Sequence, residues 1–277
     1  MRVFISADIE GITGIVSFSQ CEGPKPQFYD FPFARRMYTH DVNAAIRGAR
    51  AAGATQVVVK DSHAGCRNLL IEDLEPGVEL FSGTSANPDG MMQGIDSTFD
   101  RALLVGYHAM AGRIGVMSHA LVGGLHRFWI NGQETGEIAV SAAIAGAYGV
   151  PLVAVTSDDA GCAEAQETIT GVKTYAVKSV VGHYMSQLKH PSETGPGIEA
   201  MVQGACSTPN APHVIEGPTT LRLEFSGANL TEVAAQLPGL SRVDGYTVEW
   251  SAPTFLEANR LAQVVFNISH FGRKTEG

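Results

Sequence analysis

Five residues of metal-binding types stand where apolar, strand-like runs of this chain end. They are Asp8, Glu10, His63, His108 and Glu137. In α/β proteins, ligands bind outside the carboxyl ends of the strands, so we expect these side chains to meet in one crevice. Three carboxylates and two imidazoles suit a pair of divalent ions better than an acid/base dyad. The pattern therefore indicates a metal-dependent hydrolase.

Two of the carboxylates are only two positions apart. Asp8 and Glu10 follow the apolar run of residues 3–5, and both side chains point to one face if the strand still runs extended there. Gly11 and Gly14 would let the backbone turn sharply beneath a ligand. Adjacent like charges repel unless cations or solvent separate them. A metal site and an ordinary solvated turn are therefore the two interpretations of this segment.

Two histidines come directly after apolar runs. His63 follows residues 57–59, and His108 follows residues 103–105. Imidazole is a common metal ligand, and a neighbouring acid such as Asp61 would orient the His63 ring. Each histidine taken alone is also compatible with a structural or solvated side chain. Their shared position after buried-strand patterns favours metal ligation.

Glu137 begins a predicted helix just past a hairpin signal at Asn131-Gly132. The helix dipole favours a carboxylate there without any metal, and Glu134 on the hairpin arm is a nearby competitor. Two divalent ions against three carboxylates leave one net positive charge, which would attract hydroxide or the oxygen of a scissile carbonyl. Mixed histidine and carboxylate ligation suits zinc, with manganese and cobalt as alternatives.

A further histidine, His119, lies eleven residues past His108. A further metal ligand, a proton shuttle, an oxyanion partner and a purely structural residue are the roles open to it. Asp158 and Asp159 also follow a strand pattern, but the helix predicted after them makes them natural capping acids.

The composition of the 277-residue chain limits its partners and its compartment. It is 44% hydrophobic and 17% charged, as in soluble globular proteins, and its net charge of -9 without a Lys/Arg cluster argues against a general nucleic-acid binder. Only Arg2 precedes the first apolar run, so we expect no signal peptide and a cytoplasmic protein. The cysteines have no CxxC spacing and are expected to be free thiols in a reducing cytosol. They are Cys21, Cys66, Cys162 and Cys206.

One uncharged stretch, residues 138–157, is about as long as a membrane-spanning helix. It is rich in Ala and Gly, and Gly149-Val150-Pro151 divides it. A helix followed by a buried strand explains it without lipid, so we expect no membrane association.

Strand and helix patterns alternate along the first two thirds of the chain. Strands are predicted at residues 2–7, 56–60, 78–81, 102–106, 152–155 and 174–178, and helices at 34–52, 137–148 and 163–169. A hairpin is predicted at residues 127–135, and residues 11–32 have no assignment. This order predicts an α/β fold with a largely parallel sheet flanked by helices.

The sequence texture changes after about residue 185. Segments 189–197 and 207–218 are rich in Pro, Ser and Gly, and a strand, helix, strand, helix set is predicted at residues 221–225, 230–237, 246–251 and 255–268. We therefore predict a metal-binding catalytic α/β domain over residues 1–185. Residues 186–277 would form a smaller α/β domain or layer that shapes the pocket or the oligomer contacts.

The motifs around these residues resemble one known family. The matching runs are Asp8-Ile9-Glu10-Gly11-Ile12-Thr13-Gly14, Asp61-Ser62-His63, Gly106-Tyr107-His108, Val116-Met117-Ser118-His119 and Gly136-Glu137. The sequence is similar to the D-aminopeptidase family of bacterial dipeptide-transport operons, the M55 family of zinc peptidases. The similarity extends through Ser157-Asp158-Asp159, where the family commonly has Gly-Asp-Asp, and becomes loose in the C-terminal third.

The resemblance implies a site with two zinc ions per subunit. Their ligands would be Asp8, Glu10, His63, His108 and Glu137, with Asp8 as the bridge and His119 as the catalytic histidine. It also implies a ring-shaped homo-oligomer with interior active sites, for which a decamer is one size considered. The activity implied is release of the N-terminal residue from short D-amino-acid peptides such as D-Ala-D-Ala.

Other functions compete with the zinc aminopeptidase. The same ligands would permit hydrolysis of L-peptides, or of an amide or lactam bond in a non-peptide metabolite. A metal-stabilised peptide-binding or assembly protein is the non-catalytic alternative. A metal-free glycosidase is disfavoured because Asp8 and Glu10 share one strand end, and a serine hydrolase because the chain has no G-x-S-x-G elbow.

Overall fold

The apolar runs of the sequence form a mixed, mostly parallel sheet. The computed structural model describes residues 1–21, 30–85 and 88–272. Within them, seven strands pair in the order β3 (Glu79–Phe81), β2 (Gln56–Asp61), β1 (Arg2–Ala7), β4 (Arg101–Val105), β7 (Leu152–Asp158), β8 (Lys173–Gly182) and β9 (Met185–Leu188). Only β9 pairs antiparallel, against β8. The predicted α/β fold with a largely parallel sheet is confirmed.

A second sheet is antiparallel. Its strand order is β11 (Ser241–Arg242), β12 (Thr247–Ala252), β10 (Thr219–Phe225), β5 (Leu125–Ile130) and β6 (Gln133–Thr135). β5 and β6 form the predicted hairpin, and Asn131 and Gly132 turn it with φ angles of 51° and 81°. These positive φ angles are the ones that the Asn-Gly dipeptide tolerates in a type I′ turn.

Helices cover both faces of the first sheet and one face of the second. Their bounds are α1 (Phe18–Cys21), α2 (Phe31–Ala51), α3 (Glu137–Ala147), α4 (Asp159–Thr168), α5 (Pro191–Ser207), α6 (Ala228–Ala234) and α7 (Phe255–Gly272), with 3₁₀ turns at Ile71–Asp73 and Gly90–Met92. One apolar core lies between the first sheet and the pair α2 and α5. The other core joins the opposite face to α3, α6, α7 and the second sheet.

Several element boundaries differ from the predicted ones. α4 begins at Asp159, four residues before the predicted start, because the Asp158 side chain caps it by accepting a hydrogen bond from the Gly161 amide at 2.7 Å. The capping role predicted for Asp158 is thus confirmed. α5 lies across the Pro/Ser/Gly-rich segment, where no helix was predicted. Of the unassigned residues 11–32, positions 22–29 lie outside the described residues.

Strands and helices from the two predicted domains pair and pack with one another. The hairpin of β5 and β6 pairs through β5 with β10, and α5 packs against α2. The division into domains 1–185 and 186–277 stays a prediction about folding units. Across residues 1–21, 30–85 and 88–272, no helix combines the length and apolar character needed to cross a membrane.

Candidate metal centre

Three neighbouring parallel strands deliver the predicted ligands to one edge of the first sheet. β1 lies between β2 and β4, and backbone hydrogen bonds continue the pairing past the strand ends. The Asp8 amide donates to the Val105 carbonyl at 2.8 Å, and the Ser62 amide donates to the Ala7 carbonyl at 2.8 Å. The loops that begin with Asp8, Ser62 and Gly106 therefore start side by side.

Two glycines allow the first and third of these loops to touch. The Gly11 amide donates to the Gly106 carbonyl at 2.7 Å, and a Cβ at Gly11 would lie 1.8 Å from the Tyr107 carbonyl oxygen. Gly106 has a φ of +76°, and a Cβ there would lie 2.2 Å from the Asp8 carbonyl oxygen. No other residue type fits at either position, so the close approach of Asp8 and His108 depends on both glycines.

The predicted ligands converge in this crevice as ion pairs. His63 Nε2 lies 3.2 Å from Glu10 Oε1, and His108 Nε2 lies 3.2 Å from Glu137 Oε1 and 3.7 Å from Asp8 Oδ2. Their side chains are at most 8% exposed. One group of ligand atoms within 4.8 Å of one another belongs to Asp8, Glu10 and His108, and a second to His108, His119 and Glu137.

The hydrogen bonding of this cluster is incomplete in the way a cation site requires. Asp8 Oδ2 and Glu10 Oε2 are buried and have no hydrogen-bond partner among the described residues. His108 Nε2 is also buried, and the Glu137 carboxylate beside it at 3.2 Å does not lie in hydrogen-bond geometry. A buried polar atom without a partner costs about 1–3 kcal/mol. The His108 ring donates from Nδ1 to the Ala109 carbonyl at 2.9 Å, which leaves Nε2 free to act as a ligand. These donors therefore fit a pair of divalent cations, and zinc in particular.

It is energetically unfavourable for all the carboxylates in this buried crevice to be charged at once. Burial, together with the charges of Glu10 and Glu137, raises the pKa of Asp8 well above its ordinary value. Burial also disfavours the charged form of Glu10, but the charge and hydrogen bond of His63 outweigh it and lower the Glu10 pKa. The cluster thus needs positive charge, which bound cations would supply in a metal site.

His119 lies beside the cluster and is more open than the other members. Its ring stacks on His108 with centroids 4.0 Å apart, and its side chain is 32% exposed. Nδ1 donates to the Met117 carbonyl at 2.8 Å, so Nε2 carries the free lone pair of the neutral ring and lies 3.9 Å from Glu137 Oε1. Burial and the neighbouring His108 lower the pKa of His119. A neutral ring with a free Nε2 is suited to accept a proton.

Buried charged residues that are not ligands hold the loops in place. The Lys178 ammonium, from β8, donates to the carbonyls of Glu10 at 2.6 Å, Ile12 at 3.1 Å and Ile15 at 2.5 Å. On the other side, the Asp41 carboxylate of α2 accepts from the Thr13 amide at 2.8 Å and the Thr13 hydroxyl at 2.9 Å. In the loop that carries Glu10, the lysine thus binds carbonyl oxygens and the aspartate binds an N–H and an O–H group.

Two aspartates perform the same task for the other loops. Asp61 accepts hydrogen bonds from the amides of Asn68 at 2.5 Å and Leu69 at 2.8 Å, and so fixes the loop after His63. No hydrogen bond joins Asp61 to the His63 ring, because His63 Nδ1 has no hydrogen-bond partner among the described residues. Asp61 instead acts through Asn68, whose side-chain amide donates to Asp61 at 3.0 Å and to the His63 carbonyl at 2.8 Å. Asp158 accepts from the Val116 amide at 2.6 Å in the loop that leads to His119.

The sequence reasoning did not single out Lys178 and Asp41, although both left a signal. Lys178 stands at the end of an apolar strand pattern, and Asp41 stands within the apolar face of α2. A charged residue at a position that periodicity assigns to the core needs buried partners. Which partners these are is set by long-range packing, which periodicity does not describe.

A cavity of about 850 Å³ opens over the cluster. Asp8, Glu10, His63, His119 and Glu137 lie at its polar end. Apolar side chains of the Leu121–Val122 segment, of α3 and of α7 form much of the remaining wall, and the lining residues from the two helices are Val140, Ser141, Ile144, Gln263, Phe266 and Asn267. The size and the mixed lining suit a small organic molecule that reaches the ligands.

Comparison with known proteins finds one matching family, a similar sequence and a similar solved structure. The family model of the M55 peptidases, described as D-aminopeptidase, matches residues 1–264. A D-aminopeptidase of Bacillus subtilis (strain 168) is 33% identical over 272 residues, which cover 97% of this chain and 98% of that protein. A solved structure, the Zn-dependent D-aminopeptidase DppA from Bacillus subtilis, a self-compartmentalizing protease, superposes with a TM-score of 0.93 at 33% identity and 98% coverage of both chains.

Proposed function

Because the chain belongs to the M55 peptidase family of D-aminopeptidases, we propose that it is a zinc aminopeptidase with two metal ions per subunit. Its substrates would be short peptides, first of all D-amino-acid peptides such as D-Ala-D-Ala, from which it releases the N-terminal residue. The observation that carries this proposal is a set of buried atoms on Asp8, Glu10 and His108 that lack a hydrogen bond within the described part of the chain and lie at the end of a cavity of peptide size.

The residues divide into two ligand pairs around a shared carboxylate. Glu10 and His63 are one pair, and His108 and Glu137 are the other. We assign Asp8 to both ions because its carboxylate lies within 4.8 Å of ligand atoms from Glu10 and from His108. Zinc held by these residues would supply Lewis acidity toward the scissile carbonyl and activation of a water molecule near neutral pH.

His119 is assigned the proton transfer. Its Nε2 is the unprotonated nitrogen, since Nδ1 donates to the Met117 carbonyl, and it faces the crevice near Glu137. The neutral ring would accept a proton as water attacks and deliver it to the departing amine nitrogen, which must leave protonated. The stack on His108 fixes the ring plane for this transfer.

Three further properties belong to the proposal. The similar Bacillus subtilis structure is described as a self-compartmentalizing protease, which supports a homo-oligomer for this chain. The ring shape and the decamer stay predictions. So does the cytoplasmic location.

Metal analysis combined with a substrate panel tests the proposed function. Purified protein should contain close to two zinc ions per chain and should hydrolyse D-Ala-D-Ala faster than L-Ala-L-Ala. Removal of metal with a chelator should abolish turnover, and added Zn²⁺ should restore it, because the ligands alone provide no nucleophile. Undiminished turnover in the metal-free protein would contradict the proposal. Faster hydrolysis of L-peptides or simple amides would keep the metal site and replace the substrate.

A further inference from the structure

A buried lysine lines the cavity and has no role in the chemistry described above. Lys60 stands near the carboxyl end of β2, in register with Ser6 of β1, and is 2% exposed. Among the described residues that line the cavity, it is the single lysine or arginine. The other titratable groups that line the cavity are those of Asp8, Glu10, His63, Cys66, His119 and Glu137.

The ammonium of Lys60 contacts uncharged groups. Its Nζ donates to the carbonyl of Asp61 at 2.6 Å and to the carbonyl of Gly83 at 3.3 Å. The Cys66 thiol, a weak acceptor, is its third neighbour and also lines the cavity. Among the described residues, no carboxylate oxygen lies within 4.0 Å of Nζ. A buried ammonium without a counterion is costly, and a ligand carboxylate would be a stronger partner than the thiol.

A short peptide brings such a carboxylate. Its amine and first carbonyl must reach the metal ligands, and its C-terminal carboxylate then enters the rest of the same cavity one or two residues away. One extended residue spans roughly 3.5 Å, so a dipeptide or tripeptide fits within a cavity of ≈ 850 Å³. Thr84 and Ser85, which follow Gly83 in the chain, also line this cavity and add hydroxyl donors.

We propose that Lys60 binds the C-terminal carboxylate of the substrate and so makes the enzyme specific for short peptides with a free C-terminus. This inference rests on the proposed aminopeptidase function, and it adds a second substrate group that the cavity recognises. The carboxylate would accept a hydrogen bond from the ammonium N–H that now faces the Cys66 thiol. The attraction between the buried ammonium and the incoming carboxylate would offset part of the cost of desolvating both charges.

The first test needs no variant. The specificity constant kcat/KM of the wild-type zinc enzyme is measured for D-Ala-D-Ala and for its C-terminal amide, D-Ala-D-Ala-NH₂. A charge-assisted hydrogen bond predicts a preference of about 10- to 100-fold for the free acid, chiefly through KM. Equal constants for the two substrates would overturn the role of Lys60. No turnover of either would overturn the proposed function, and with it this inference.

The second test assigns the preference to the lysine. Lys60→Met should reduce the ratio of the two constants by about 10-fold or more, and Lys60→Arg should retain part of it. The matched control is Lys189→Met, since Lys189 also donates to a backbone carbonyl, that of Ala176, but does not line the cavity. The control should keep the wild-type ratio. A preference that survives in Lys60→Met would show that the metal ions hold the carboxylate, and would overturn the proposal.

Discussion

The two sheets of this protein differ in where their strands carry charged side chains. Every position of β1 from Val3 to Ala7 is buried and uncharged, and the carboxylates of Asp8 and Glu10 follow where the strand ends. β10 instead alternates buried and partly exposed positions, and its Arg222 pairs with Glu249 of β12 at the surface, at 2.7 Å. Parallel strands covered on both faces leave only their ends for polar chemistry, whereas an antiparallel sheet can carry charge along one face.

This difference has an energetic side. The pair of Arg222 and Glu249 is 46% and 33% exposed, so water solvates both charges and the pair contributes little. The charges at the ends of β1, β2 and β4 are buried, so each must have a partner or destabilise the fold. The energetic cost of burying charge is therefore concentrated at the proposed metal site.

The largest expected effect comes from a histidine at the parallel edge. His119→Ala should lower kcat by about 10²- to 10⁴-fold while zinc content stays unchanged, because the variant loses proton transfer and keeps the ligands. The measurement is steady-state kinetics with metal analysis on the same sample. Loss of zinc in His119→Ala would instead make His119 a ligand, which its place in a group with His108 and Glu137 also allows.

A matched control comes from the antiparallel sheet. His126 Nδ1 also pairs with a glutamate, Glu224, but its side chain is 56% exposed. His126→Ala should change kcat by less than about twofold, as expected for surface substitutions away from a site. A comparable loss in both variants would show that the two sheets do not differ in function.

An intermediate effect is expected for the buried lysine behind the Glu10 loop. Lys178→Met leaves the carbonyls of Glu10, Ile12 and Ile15 without their donor, and should lower the free energy of unfolding by about 3 kcal/mol. Because the loop carries two ligands, zinc affinity should also fall by about 10- to 100-fold. Urea unfolding and competition with a chelator measure the two quantities. Unchanged zinc affinity would restrict Lys178 to a structural role.

The smallest effect is expected in the second sheet. Arg222→Ala removes the exposed pair with Glu249 and should change the free energy of unfolding by less than about 1 kcal/mol, without effect on zinc content. Urea unfolding under the conditions used for Lys178→Met checks this. A loss as large as that of the buried lysine would remove the energetic contrast between the sheets.

Much of the first sheet, and the convergence of the candidate ligands, was predictable because both depend on local patterns. Residues 2–7 form β1 as the unbroken apolar run predicts, and Glu137 begins α3 as predicted. The rule that ligands gather at the carboxyl ends of parallel strands then placed Asp8, His63 and His108 together without knowledge of strand order. The roles assigned to these residues stay proposals.

What could not be predicted depends on distant parts of the chain. α5 lies in a segment whose glycines and prolines disfavour a helix, and packing of Ile198 and Val202 into the core near α2 outweighs that propensity. β9 was also missed, because its exposed residues have no apolar alternation and it is fixed by pairing with β8. Likewise, Lys178 reaches a loop more than 160 positions away in the chain.

The contact between Gly11 and Gly106 limits how this crevice can change. A methyl group at either position would overlap a main-chain oxygen of the opposite loop, so even alanine is excluded from a library of folded variants. Mutational routes toward a new substrate must therefore keep both glycines and pass through residues that line the cavity, such as those of α3 and α7. The two positions that exclude every other residue type have no side chains, and they set the boundary of what selection can explore.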